Sequence, residues 1–248
     1  MQANTISEVI TILDTIIAGC KQRGSRLGYF ATLYKLMTVA VADGISNNLF
    51  QDGARMERLD VIFANRYLKA YFDYTSRLPV TASWKIAFDA AERDNLIVVQ
   101  HLLLGINAHI NLDLGIAAAD TCNVDNINEL KNDFDKINDT ISETYGLLQT
   151  RFAKISWPAI FLSKIDPDVA NNVINFSIAK ARNLAWANAL MLCHGGQDNR
   201  KIIINSTDIT VLKVANAIMH PATLKSIGLK TIRFFESKDV RRNIESLS

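Results

Sequence analysis

Between Val98 and Ala119 the chain carries no lysine, no arginine and a single acid, Asp113, yet it contains Gln100, His101, Asn107, His109 and Asn111. Placed at about 100° per residue, its apolar side chains fall around the whole circumference of a helix. Such a helix has no face for water and must be enclosed. It is long enough to cross a bilayer, but its amides, imidazoles and above all Asp113 would be expensive in lipid. The expectation is a helix buried in a protein core, starting near Asp94 and ending near Ala119, with no membrane span.

The flanking sequence supports an all-α fold. Only four prolines interrupt 248 residues, so long helices are permitted and each proline marks a candidate break. Apolar periodicity predicts helices over Ile6–Cys20, Tyr29–Val41, Ala54–Ser76, Val80–Ala91 and Asn126–Arg151. Asp43, Gly44, Ser46 and Asn47–Asn48 read as a loop. Asp166–Pro167 reads as a helix start, with the helix running through Leu192 to the Gly195–Gly196 pair. KIIINSTDITVLKV is ambiguous: its isoleucines favour strand, while Ser206 or Thr207 can cap a helix toward Met219. One or two smaller helices and a basic turn at Arg241–Arg242 complete the chain. No repeat or linker divides it. The expected architecture is one domain over 1–248, an irregular bundle of about eight to ten helices around a buried central helix. The part from about 197 onward is the least clearly patterned.

Composition narrows the function classes. A net charge of +2, with no Lys/Arg tract, argues against nucleic acid. The N-terminus has no basic region ahead of its apolar residues and carries Glu8 and Asp14, so it reads as a surface helix rather than a signal peptide. Cys20, Cys122 and Cys193 are odd in number and form no paired motif, which fits a reducing, cytoplasmic setting.

The chemistry concentrates in the central helix. His109 and Asp113 lie one turn apart on one face, while Asn107 and Asn111 point elsewhere. A buried carboxylate needs a donor, a cation or a metal, or it stays protonated. His109 and Asp113 are therefore candidate metal ligands, with Asp43 and Asp60 as the acids to complete the set and zinc as the cation. His101 lies about 12 Å of rise from His109, too far to share one ion on a straight helix. Without a metal, the same groups could form a structural network or line a ligand pocket. Gly105 allows close approach by another helix or a ligand. His101, His109, Asp113 and Asp60 are the candidate catalytic groups. Arg55, Arg58 and Arg66, with Asn107 and Asn111, are the candidate substrate contacts.

The segments from Gly28 to Val41, from Asp52 to Tyr74 and from His101 to Ala119, with Trp84 and Ala87–Phe88 between them, resemble the DUF5995 family of bacterial proteins. The resemblance spans about Gly24 to Arg151. It implies an all-helical domain and, the family being of unknown function, no reaction. The family's polar core falls here on Arg55, Arg58, Asp60, Asn65, Arg66, His101, Asn107, His109, Asn111 and Asp113. Asn-Ala-His-x-x-x-Asp is also similar to a helix of the zinc-dependent phospholipase C and P1 nuclease group. That likeness covers only His109 and Asp113, and the group's further histidines have no recognisable counterpart here.

Three functions follow as expectations. One is a small-molecule enzyme, a metal-dependent hydrolase of an anionic or ester substrate, with His101 as base and Arg58 or Arg66 holding the anion. The second is a non-catalytic helical binding or scaffold protein. The third is a metal-free enzyme or sensor with a mostly apolar pocket beside a histidine.

Overall fold

The computed structural model describes residues 1–140, 151, 155, 178–221 and 223–248. Among them every regular element is helical. Helix α1 is Ile6–Arg23, α2 is Leu27–Ser46, α3 is Gly53–Thr75 and α4 is Ala82–Asp89. A continuous helical run then comprises α5, Val98–Ala108, a π-helical segment, His109–Leu114, and α6, Gly115–Thr121. Residues 131–140 form α7. Helices α8, Ile178–His194, α9, Gly196–Met219, α10, Thr223–Phe235, and α11, Val240–Leu247, follow.

The central run is the enclosed helix that its residue pattern demands. Of its most apolar window, 83 % is buried inside the protein. Helix α3 and α8 flank α6, α2 and α4 pack on α5, and α9 crosses α4, α5 and the π segment. The C-terminal α11 returns to cover α1 and α2. A second stretch, Asp198–Met219, is also long and apolar enough to cross a membrane, and only 17 % of its window is buried.

Carboxylates from distant parts of the chain hold several helix starts in place. Asp52 caps α3 by accepting from the Arg55 amide, while the Gln51 and Asp52 amides donate to Asp133 at 2.7 and 2.9 Å. The Ala82 and Ser83 amides, at the start of α4, donate to Asp208 of α9 at 2.8 and 2.9 Å. The first amide of α5, Val98, donates to Glu236 at 3.0 Å. Each carboxylate satisfies orphan donors at the positive end of a helix dipole.

Several boundaries differ from the sequence reading. Helix α2 runs on to Ser46 through the expected loop, because buried Gly44 receives the Phe50 ring, 3.0 Å from where a Cβ would stand. That contact offsets glycine's poor helix propensity. Val80–Ala91 resolves into α4 and a 3₁₀ turn, Ala90–Glu92. The predicted helix from Asn126 opens instead as a 3₁₀ turn, Ile127–Leu130. Its residues 141–150, and the expected start at Asp166–Pro167, lie outside the described residues. The ambiguous KIIINSTDITVLKV is helix throughout, inside α9. Thr207 is not a cap there: its hydroxyl donates to the Ile203 carbonyl one turn back, at 2.9 Å. Arg241 and Arg242 form the first turn of α11 rather than a loop, their amides capped by Asp239 at 3.0 and 3.1 Å.

Gly105 is where α2 comes closest to the central run. A Cβ there would stand 2.4 Å from the buried Phe30 ring, so the ring must shift to admit it. Gly105→Ala is therefore expected to destabilise the protein by about 1–3 kcal/mol through overpacking, despite its gain in helix propensity. Gly19→Ala meets only the flexible end of Arg23 at 3.2 Å and is expected to be neutral or stabilising. Urea denaturation of both variants checks the pair. Equal effects would contradict the close approach.

Candidate functional site: the His109–Asp113 core

The π segment begins at His109 and includes Asp113. Single π turns within α-helices recur at functional sites. Both side chains are almost inaccessible, at 3 and 1 % exposure. Asp113 is the hub. Its Oδ1 accepts from Arg66 Nε at 2.8 Å, and its Oδ2 accepts from Trp84 Nε1 at 2.7 Å. His109 Nδ1 lies 3.6 Å from the same Oδ2, within ion-pair range but long for a hydrogen bond. Burial pushes the Asp113 carboxyl up. The His109 imidazole, the Arg66 charge and the Trp84 N–H outweigh that and hold it below the ordinary carboxylate range.

His109 sits in an aromatic box. Phe63 stacks on it at 3.6 Å between ring centroids and 6° between planes, and Tyr34 meets it edge-on at 4.4 Å. Phe30 stands at 5.6 Å, and Trp84 and Tyr67 lie just beyond. Burial lowers the His109 pKa against the opposing pull of Asp113, so the ring is neutral at pH 7. The facing carboxylate favours the proton on Nδ1, which leaves Nε2 as an acceptor. Among the described residues, neither ring nitrogen has a hydrogen-bond partner.

Beside this box lies a cavity of about 100 Å³. Leu33, Met37, Val41, Leu59 and Phe63 supply apolar wall, and Tyr34, Asp60, His109 and Arg182 supply polar groups. Asp60 Oδ2 is buried and unpartnered. Burial, with a smaller push from the Glu57 charge, raises its carboxyl to about 7.

The other candidates divide. Asn107 donates to the Val211 carbonyl at 2.9 Å and accepts from Asn111 at 2.9 Å, so the two amides tie the central run to α9 and face away from His109. Arg55 is held by Glu129 at 3.1 Å, near Asp52 and Asp133, as a structural clamp. Asn65 pins the N-terminus through both polar backbone atoms of Ala3, at 2.8 Å each. Arg58 and Asp43 are exposed on their helices and do not line the His109 cavity. Arg66 reaches the site through Asp113. His101 is buried against Tyr29, with its pKa lowered to about 3 by burial and by the Arg26 and Arg233 charges. It does not line the His109 cavity. Among the described residues, no three His, Cys, Asp or Glu side chains converge to hold a metal ion. The proposed donor set of His109, Asp113, Asp43 and Asp60 is thus not assembled: Asp43 faces solvent, and both Asp113 oxygens are already bonded to protein donors.

Trp84, whose indole N–H donates to Asp113, is not among the candidate site residues read from the sequence. The available signal was that a buried Trp usually finds an acceptor. Phe63 and Tyr34 carried no signal beyond helical periodicity.

The two buried aspartates should respond to the same substitution with opposite signs. Asp60 is held at about 7, above its ordinary 3.8. The folded protein therefore binds that proton more tightly than the unfolded chain does, and stability is lost as pH rises from about 4 to 7. Asp60→Asn is expected to match wild type near pH 4 and to exceed it by a few kcal/mol at pH 8. Asp113 has a depressed value, so its contribution is present at neutral pH and is lost as pH falls through the folded-state value. Asp113→Asn should cost about 3–5 kcal/mol at pH 8. Urea titrations across pH 4–8 test this, and a shift of the same sign for both at pH 8 would refute it.

No curated protein and no solved structure matches this chain. A family model, described as a family of unknown function (DUF5995), matches residues 6–221, which takes in α1–α9 and the whole His109–Asp113 core. The chain belongs to the DUF5995 family.

Proposed function

We propose that this protein binds a small, mostly apolar molecule bearing a hydrogen-bonding group in the cavity beside His109. One observation carries the reading. Of the buried side-chain atoms without hydrogen-bond partners, those of Tyr34, Asp60, His109 and Arg182 all belong to residues lining this one cavity. An unsatisfied buried polar group costs about 1–3 kcal/mol; these atoms lie just behind an almost wholly apolar cavity surface, so an occupant supplies their missing partners when the lining side chains turn slightly toward it. Apolar walls with a few convergent polar groups are the usual form of a ligand site. The volume of about 100 Å³ is about two-thirds of the roughly 150 Å³ that accommodates benzene, which, in a cavity that is partly open, makes about six non-hydrogen atoms an upper bound for the occupant.

Butyrate, butyramide and pentan-1-ol are suitable probes. At least one is expected to bind saturably at millimolar concentration or below and to raise Tm. Leu33→Phe, which fills the cavity, should abolish the effect. Absence of saturable binding by all three would overturn the reading.

A second reading, ester hydrolysis, is favoured by the 3.6 Å spacing of His109 and Asp113. Asp113 orients the imidazole and stabilises its protonated form, and Nε2 takes the proton from a water attacking the ester carbonyl. The hydroxide equivalent adds to that carbon, the C–O bond to the alkoxide breaks, and the proton on Nε2 leaves with the alcohol. Burial depresses the base, so the acid limb of the rate should fall below pH 6.5. Ethyl acetate hydrolysis followed in a pH-stat should show that limb and vanish in His109→Gln. Unchanged turnover in that variant would remove the hydrolytic reading while leaving the binding reading intact.

A further inference from the structure

Arg182 is the charged group in the cavity wall that the His109–Asp113 core does not use. It is 3 % exposed. Its guanidinium lies over the Phe134 ring at 4.4 Å, and one Nη donates to the Phe134 carbonyl. Its Nε has no hydrogen-bond partner, and none of its nitrogens lies within 4.0 Å of a carboxylate among the described residues.

A buried cation without a counter-ion is unusual in a folded protein, since charges removed from water are nearly always paired. Burial lowers the Arg182 pKa to about 10, against an opposing push from Asp135, which leaves the group charged at neutral pH. The stacked ring and one carbonyl partly compensate the charge but do not neutralise it. Other cationic side chains of the core are paired: Arg55 with Glu129, and Arg66 with Asp113. Arg182 alone of these three lines the cavity.

We infer that the occupant of this cavity is a small monoanionic carboxylate, its charged end at Arg182 and its hydrocarbon body against Leu33, Met37 and Phe63. This rests on the binding reading above and specifies the class of ligand. A planar guanidinium with a free N–H suits a carboxylate better than it suits an alcohol or an amide. The polar atoms of Tyr34 and Asp60 also need partners. The tyrosine hydroxyl can donate to a carboxylate oxygen, and the Asp60 carboxyl can do so while it holds its proton. The apolar wall, with about 100 Å³ of space, matches a chain of three or four carbons and excludes strongly hydrated inorganic anions.

Butyrate and butyramide have the same shape and differ in charge, so their affinities separate the two levels of the argument. Isothermal titration at pH 6 should show butyrate binding at least tenfold tighter than butyramide. Arg182→Met should remove that preference while keeping butyramide binding, and Arg182→Lys should keep part of it. Equal or tighter binding of butyramide by wild type would overturn the carboxylate assignment and leave the pocket standing. Undiminished butyrate preference in Arg182→Met would also overturn it. Failure of butyrate, butyramide and pentan-1-ol alike would remove the pocket itself. Should Arg182→Met not fold, the wild-type ratio of the two affinities decides.

Discussion

Asp113 is the group on which the interior depends. It is a nearly inaccessible carboxylate that joins three elements: the π segment that carries it, α3 through Arg66, and α4 through the Trp84 indole. A charge in that position is tolerated only when its oxygens are met by donors and a counter-charge. Here both oxygens are met, and they are met by side chains that must come from fixed directions. The angle at which α3 and α4 approach the central run is therefore constrained by hydrogen-bond geometry as well as by apolar packing.

That constraint places His109. One turn from Asp113 on the same helix, the imidazole is carried into the space between α2 and α3, where Tyr34, Phe30, Phe63 and Tyr67 close around it. The approach of α2 is possible because residue 105 has no side chain to obstruct Phe30. Burial then keeps the imidazole neutral, and the nearby carboxylate favours one tautomer. The result is a base, or a neutral acceptor, held in a rigid apolar box. The adjoining cavity mixes aliphatic wall with the unpartnered groups of Tyr34, Asp60 and Arg182. The core is thus close-packed on one side of His109 and, among the described residues, incompletely satisfied on the other, which is the contrast the proposed binding site rests on.

Much of this was legible in the residues. The all-helical class and the enclosed central helix followed from periodicity and from a long stretch without Lys or Arg. The pairing of His109 with Asp113 followed from their spacing, and the demand for a partner at Asp113 followed from the cost of burying a carboxylate. Which partner answered was not legible. Arg66, Arg58 and Arg55 looked equivalent along one helix, yet only Arg66 reaches Asp113, Arg55 clamps Glu129, and Arg58 faces solvent. Asn107 and Asn111 bind each other and, through Asn107, the backbone of α9, and Asn111 lines a separate cavity between α8 and α9 rather than the one beside His109. Arg182, which no sequence pattern marks as a site residue, is the cation in the cavity wall.

The physical reason lies in the range of the interactions. Periodicity and burial cost act within one segment, so the sequence by itself determined that the chain is helical, that Val98–Ala119 is enclosed, and that His109 and Asp113 share a face. Choosing among three arginines, placing Phe30 on Gly105, or leaving Arg182 with no carboxylate within 4.0 Å among the described residues depends on how helices far apart in the chain are rotated and offset against one another. Those choices are made by packing across α2, α3, α4, α8 and the central run together, and only the tertiary structure decided them.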